Sequence, residues 1–243
     1  MTKLKAIILA AGRGKRLGGD APKVMQSAGG SPLLTHVLDA LDFVPRDDII
    51  IVVGYKKDDV ITAFPDFDFA EQTEQLGTGH AALSAEPKLR GYDGAVLVCC
   101  GDMPLLTRET YTALVERHFA DGNDCTVLSG VADKPFGFGR IARAAGGNFA
   151  AIVEEKDCTP EERAITEINA GVYVFGARAM LGALRGLSNE NAQGEYYLTD
   201  APALILKSGG KVGVLKRDLG DEIIGVNTPE QLAQVEAILK SRG

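Results

Sequence analysis

Strand-length apolar runs, rich in β-branched residues and free of internal proline, recur at residues 6–10, 49–53, 95–100, 125–129, 151–155, 172–175 and 212–215. Most show no polar alternation, which is the mark of strands buried on both faces. Between them, residues 32–41, 78–86, 107–119, 198–207 and 229–240 carry apolar side chains at helical spacing. The alternation predicts a doubly wound, mostly parallel α/β sheet covered by helices on both sides. Ser31-Pro32, Thr107 and Thr228-Pro229 each offer a side-chain oxygen to cap a helix start. From about Asp133 to Asn169, glycines and charges interrupt the rhythm, which predicts a mixed sheet or inserted lobe. No linker or internal repeat divides the chain. The expectation is one domain over residues 1–243, with a small mixed substrate lobe at approximately 133–200. In such folds ligands bind at the carboxyl ends of the strands, where the strand order reverses.

Composition narrows the function classes. A chain of 243 residues can bury roughly 70% of its unfolded surface without staples. Its four cysteines form no CxxC pair, which argues against a secreted disulfide framework or a zinc knuckle. No apolar stretch approaches membrane-spanning length, so a cytoplasmic protein is expected, with no membrane partner. The net charge of -7 weighs against a nucleic-acid partner. Any polyanionic ligand must therefore meet local cations or a metal.

Two local features bear on that need. The first is Leu9-Ala10-Ala11-Gly12-Arg13-Gly14-Lys15-Arg16-Leu17-Gly18-Gly19, followed by Pro22-Lys23. A glycine-rich turn after a strand lets backbone N–H groups approach a phosphate chain, and the lysines and arginines supply charge. The spacing fits neither GxGxxG nor a P-loop, and a solvated basic turn is the competing reading. The second is Asp102, which follows the run 95–100 and Gly101 and so places a carboxylate at a strand's carboxyl end. A turn cap before Pro104 would use the same residue.

Leu9-Ala10-Ala11-Gly12-x-Gly14-x-Arg16 with Pro22-Lys23-Val24 resembles the signature of the sugar-1-phosphate nucleotidyltransferases. Residues 74–81, 101–105, 137–141, 152–157, 167–169 and 191–200 follow in the order found in members acting on N-acetylglucosamine 1-phosphate. The resemblance implies a Rossmann-like nucleotidyltransferase fold and a uridylyltransferase joining UTP to N-acetylglucosamine 1-phosphate for cell-wall precursors. Such a reaction has no proton to remove, so alignment and charge neutralisation are what the protein must supply.

Carried over residue by residue, the resemblance makes Arg16, Lys23 and Asp102 catalytic, and gives a Mg2+ cofactor to Asp102 and Asn227. It assigns Leu9, Ala10, Ala11, Gly12, Gly14, Lys23, Gln72, Gly77 and Thr78 to the nucleotide. To the sugar it assigns Gly101, Gly139, Glu154, Asn169, Tyr197 and Thr199, with Gln193 and Glu195 shaping the same pocket. His80, at a helix start, is expected to position other groups. Taken singly, Asn227 reads as a helix cap, Arg16 and Lys23 as solvated charges, and Tyr196-Tyr197 as packing.

Lys15, Cys100 and Ala170 depart from the usual threonine, aromatic residue and threonine of those members. Members with this motif order continue into an acetyltransferase of hexapeptide repeats, which these 243 residues do not contain. The expectation is therefore a monomer or weak homo-oligomer without acetyl transfer. Two alternatives remain: another hexose 1-phosphate or nucleoside triphosphate, or a nucleotide-sugar sensor without turnover.

Overall fold

A computed structural model describes residues 3–18 and 20–242, so Gly19 of the glycine loop lies outside the described residues. In chain order the elements are β1 (Leu4–Leu9), β2 (Ser27–Ala28), β3 (Ser31–Pro32), α1 (Leu33–Ala40), β4 (Ile49–Val53), α2 (Lys57–Ala63), β5 (Asp68–Glu71), α3 (Thr78–Leu83) and β6 (Ala95–Cys100). There follow α4 (Arg108–Asp121), β7 (Cys125–Val131), β8 (Arg140–Arg143), β9 (Phe149–Val153), α5 (Pro160–Arg163), β10 (Glu167–Gly176), α6 (Ala177–Arg185), α7 (Ala201–Lys207), β11 (Val212–Lys216) and α8 (Pro229–Arg242).

The main path of the sheet runs β11-β7-β10-β6-β1-β4-β5. Along it only β10 is antiparallel to its neighbours. From β1 the chain steps outward to β4 and β5, then returns across β1 to lay down β6. The order therefore reverses between β1 and β6, where a crevice opens at the carboxyl ends. Leu9 and Cys100, the last residues of those strands, are direct partners across the ladder.

Burial on both faces explains the continuous apolar runs. Ala6, Ile8, Ile49, Ile51, Leu97 and Cys99 pack with Leu34 and Val37 of α1 and Tyr111 and Leu114 of α4. The alternate residues Ile7, Ile50, Val52, Val96 and Val98 face Ala81 of α3, Met180 and Leu184 of α6 and Ile205 of α7. Each strand thus feeds two cores at a period of two. A third, smaller cluster joins Leu33, Leu105 and Val226 to Val235 of α8.

Several local expectations need correction. Ser31 belongs to β3, and α1 begins after Pro32 without a side-chain cap. Thr107 does cap α4, accepting from the Thr110 N–H at 3.3 Å. Thr228 and Gln231 form a reciprocal pair at the start of α8, with Gln231 N–H donating to Thr228 Oγ1 at 3.3 Å and Thr228 N–H to Gln231 Oε1 at 3.2 Å. The strand expected at 151–155 ends at Val153, which pairs with Arg140, so Glu154 and Glu155 fall just beyond the sheet.

The irregular stretch contains the antiparallel hairpin β8–β9, joined to the main sheet where Ile168 of β10 meets Arg140. Against β7, β10 shifts register between Asn169 and Tyr173, a bulge that carries Gly171 at φ +70°. Among the described residues no helix is long and apolar enough to cross a membrane.

Candidate active site

Beyond β1 the glycine loop curls back on itself. Leu17 N–H donates to Gly14 O at 2.9 Å, and Lys23 N–H to Gly12 O at 3.4 Å. Gly14 sits at φ +66°, and a Cβ there would lie 3.0 Å from Lys23 Cβ, so glycine is what lets the lysine stem pass. The loop walls a cleft of about 380 Å3 lined by Leu9, Ala10, Ala11, Gly12, Lys15 and Lys23 on one side and Gln72, Gln75, Gly77 and Thr78 on the other. Gln75 Nε2 donates to Ala11 O at 3.0 Å and ties the two walls together.

Gln72 is buried, and its Nε2 donates to Gly77 O at 3.0 Å while lying 3.2 Å from His80 Nδ1. His80 thus helps to orient the amide rather than facing the cleft. The segment around Gly77 is stitched to a distant loop: Tyr196 N–H donates to Leu76 O, and Gly79 N–H to Tyr196 O, both at 2.8 Å. Gly77 itself adopts φ +112°, and a Cβ there would stand 2.6 Å from Tyr196 O. Gly77→Ala is therefore expected to cost about 2–4 kcal/mol of stability through backbone strain and overlap. Urea denaturation checks this, and a loss below about 0.5 kcal/mol, the ordinary range for surface changes, would refute it.

A second cleft of about 460 Å3 adjoins the first, sharing Cys100 and Asp102 with it. Arg16, Gly139, Glu154, Asn169 and Asn227 line it, with Phe136 and Phe138. Buried Arg140 pins the wall: its NH2 pairs with Glu155 Oε2 at 2.6 Å, and its NH1 donates to Phe138 O. The β10 bulge brings Asn169 to the cleft, where its Oδ1 accepts from Gly171 N–H at 3.1 Å and its Nδ2 donates to Tyr173 Oη at 2.7 Å.

Glu154 accepts from Thr199 Oγ1 at 2.9 Å. Burial pushes its carboxyl above the usual carboxylate range against that hydrogen bond, and Asp200, Asp157 and Glu195 add to the rise. The folded chain thus holds this proton more tightly than the unfolded one. Its contribution to stability is complete below the ordinary carboxylate pKa and is lost as pH rises through the raised value. Glu154→Gln is expected to be more stable than the wild type at about pH 8 and equal to it at about pH 4, the gain growing across that window. Thermal melts at both pH values read the difference, and an equal or lower Tm at the higher pH would contradict it.

Not every sequence-assigned residue reaches a cleft. Gly14 and Gly101 line neither, and a Cβ at Gly101 would meet Val24 Cγ1 at 3.0 Å, so both glycines serve packing. Tyr197 and Thr199 are buried behind the second cleft. Tyr197 Oη accepts from Gln193 Nε2 at 2.9 Å and lies 3.3 Å from Asp157 Oδ2. Glu195, expected beside the sugar, lines the first cleft instead. Sequence reasoning assigned no role in the clefts to Gln75 or Phe136, and took Lys15 only as one of the cations of the glycine loop. Gln75 had a signal, since it stands in the same motif as Gly77 and Thr78.

Where the clefts meet, Val226 N–H donates to Asp102 O at 2.9 Å, and Asn227 N–H to Gln231 Oε1 at 2.8 Å. These bonds bring Asn227 beside Asp102. Lys23 Nζ pairs with Asp102 Oδ2 and donates to Asn227 Oδ1 at 2.8 Å, and Arg16 NH2 reaches the same amide oxygen at 3.1 Å. One carboxylate and one amide oxygen thus converge on a single cationic nitrogen. Cys100, at the same junction, is held protonated by burial, with Asp102 adding to the effect, so it offers no thiolate nucleophile. Among the described residues there is no cluster of three or more His, Cys, Asp or Glu side chains that could hold a metal.

Residues 6–201 match the family model of the MobA-like NTP transferase domain. The chain belongs to that family of nucleotide-using α/β domains. Its similarity is more particular to proteins named bifunctional protein GlmU. The one from Alkaliphilus oremlandii is 47% identical over 241 residues, covering 99% of this chain and 52% of its own. That from Caldanaerobacter subterraneus subsp. tengcongensis is 44% identical over 243 residues, 100% of this chain and 53% of its own. The chain spans about half the length of the curated relatives it matches. A solved structure from Bacillus anthracis, assigned as a glucose-1-phosphate thymidylyltransferase in complex with a sucrose, superposes with a TM-score of 0.76. It is 22% identical, covers 98% of this chain and 96% of its own, and its likeness is one of fold.

Proposed function

We propose that this chain transfers a uridylyl group from UTP to N-acetylglucosamine 1-phosphate, forming UDP-N-acetylglucosamine and pyrophosphate. The observation that carries this is the meeting of two clefts at Asp102, one walled by the cationic glycine loop and the other by Glu154 and Asn169. The uracil faces Gln72, Gly77 and Thr78, where amide and backbone groups offer both a donor and an acceptor. The sugar faces Gly139, Glu154 and Asn169, whose polar groups suit hydroxyls and an acetamido group. Between them, an anionic oxygen of the sugar phosphate forms a bond to the α-phosphorus. The bond from that phosphorus to the bridging oxygen breaks, and its electron pair leaves with pyrophosphate.

No general base is required. Lys23 and Arg16 stabilise the charge that develops on the phosphates and hold the reacting groups in line. The residues present fit a magnesium ion: Asp102 and Asn227 would hold it by oxygen, leaving its other positions to phosphates and water. Their shared contact with Lys23 Nζ supports this, since the two oxygens already accept one cation. Bound there, the ion would supply positive charge to the phosphates.

Pyrophosphate release with magnesium, measured over a panel of nucleoside triphosphates and sugar 1-phosphates, tests the proposal. The fastest turnover is expected with UTP and N-acetylglucosamine 1-phosphate. A faster pair would replace these substrates, and nucleotide-sugar binding without turnover by any pair would make the chain a sensor.

A further inference from the structure

We infer that Lys15 binds the pyrophosphate end of the nucleoside triphosphate, a role that rests on the nucleotidyl-transfer function above. Lys15 and Arg16 are consecutive in the short 3-10 turn Lys15–Leu17, yet they line different clefts. Arg16 lies on the sugar side and donates to Asn227, whereas Lys15 lies on the nucleotide side with Gly12 and Lys23. With the base at Gln72 and the reacting phosphorus at Asp102, the phosphates beyond it run against the loop that carries Lys15.

Charge balance points the same way. The charged side chains lining the first cleft are Lys15, Lys23, Asp102 and Glu195. Lys23 is paired with Asp102, so without Lys15 the remaining charge is the carboxylate of Glu195. Among the described residues that line this cleft, Lys15 is therefore the cation not already paired with a carboxylate. The other cations around the loop are committed: Arg13 stacks over the Tyr55 ring at 5.0 Å, and Lys56 is paired with Asp20. Lys15 is exposed and makes no ion pair or side-chain hydrogen bond among the described residues. Its ammonium is available to a ligand at no cost to the fold.

The test compares wild type, Lys15→Met and Lys15→Arg in both reaction directions. In Lys15→Met, the KM for inorganic pyrophosphate in the reverse reaction and for UTP in the forward reaction should rise about tenfold or more, as for a lost charged contact. The KM for the sugar 1-phosphate should stay within about twofold, since Arg16 and not Lys15 faces that side. Lys15→Arg should restore most of the pyrophosphate affinity, and calorimetric titration with magnesium pyrophosphate should show the same ranking. Unchanged pyrophosphate affinity in Lys15→Met, while wild type turns over normally, overturns the role of Lys15 alone. An equal rise in the KM for the sugar 1-phosphate also overturns it, because the residue would then act on the whole site. A wild-type protein that turns over no triphosphate overturns nucleotidyl transfer and this role with it.

Discussion

Lys23→Ala is expected to lower kcat/KM about 30- to 1,000-fold, a loss of about 2–4 kcal/mol of transition-state stabilisation, with the fold intact. The expectation follows from where the ammonium sits. Lys23 is 16% exposed and Asp102 17%, so their charges act in a partly desolvated crevice where screening is weaker than at an open surface. In the free protein the ammonium rests on Asp102 and Asn227; with a triphosphate in the cleft, phosphate oxygens become its stronger partners. Removing it deletes a positive charge at the phosphates and packs away no apolar surface. Steady-state pyrophosphate release, read beside a thermal melt, checks both halves. Turnover within about threefold of wild type would remove Lys23 from the mechanism.

Asp102→Asn is expected to lower turnover about 100- to 1,000-fold, with excess magnesium restoring only part of it. The substitution keeps size and an oxygen donor but removes the carboxylate charge. With it goes the only carboxylate that, among the described residues, lines both clefts. Because the partner oxygen of Asn227 is uncharged, no other group at the junction compensates. A magnesium titration of activity distinguishes weakened metal affinity, which shifts the midpoint, from a change at the reacting phosphates, which lowers the plateau. Full activity at ordinary magnesium would exclude Asp102 as a ligand.

The two expectations differ in how openly the sequence carried them. Residues 49–53 and 95–100 were legible as strands to the residue because both of their faces are dry, which leaves an uninterrupted apolar run. β10 was read too short, since Asn169, Ala170 and Gly171 form a bulge that no periodicity describes. α6 was missed with Gly182 in its middle, and β5 is a four-residue edge strand with acidic ends. At the site, Gly14 and Gly77 were legible only through the motifs that carry the resemblance, and their positive φ is the structural reason that glycine stands there. The divergence of Lys15 from Arg16 depends on the tightness of one turn, and the place of Glu195 on backbone bonds between residues 194–198 and 76–79. Those are tertiary facts, and residue type alone does not encode them.

The pairing of Leu9 with Cys100 has a further meaning. It roots the glycine loop and the turn that carries Asp102 on neighbouring strands, one inter-strand spacing apart, about 4.8 Å at their bases. Backbone hydrogen bonds set that distance, and neither loop can lengthen it. A slip of one residue would change it, but would also turn Ile7 and Ile8 into each other's cores. The fold thus acts as a gauge block between the glycine loop and Asp102. Loops around Gln72 or Phe136 are free to drift in sequence while the spacing between the two strand ends stays constant.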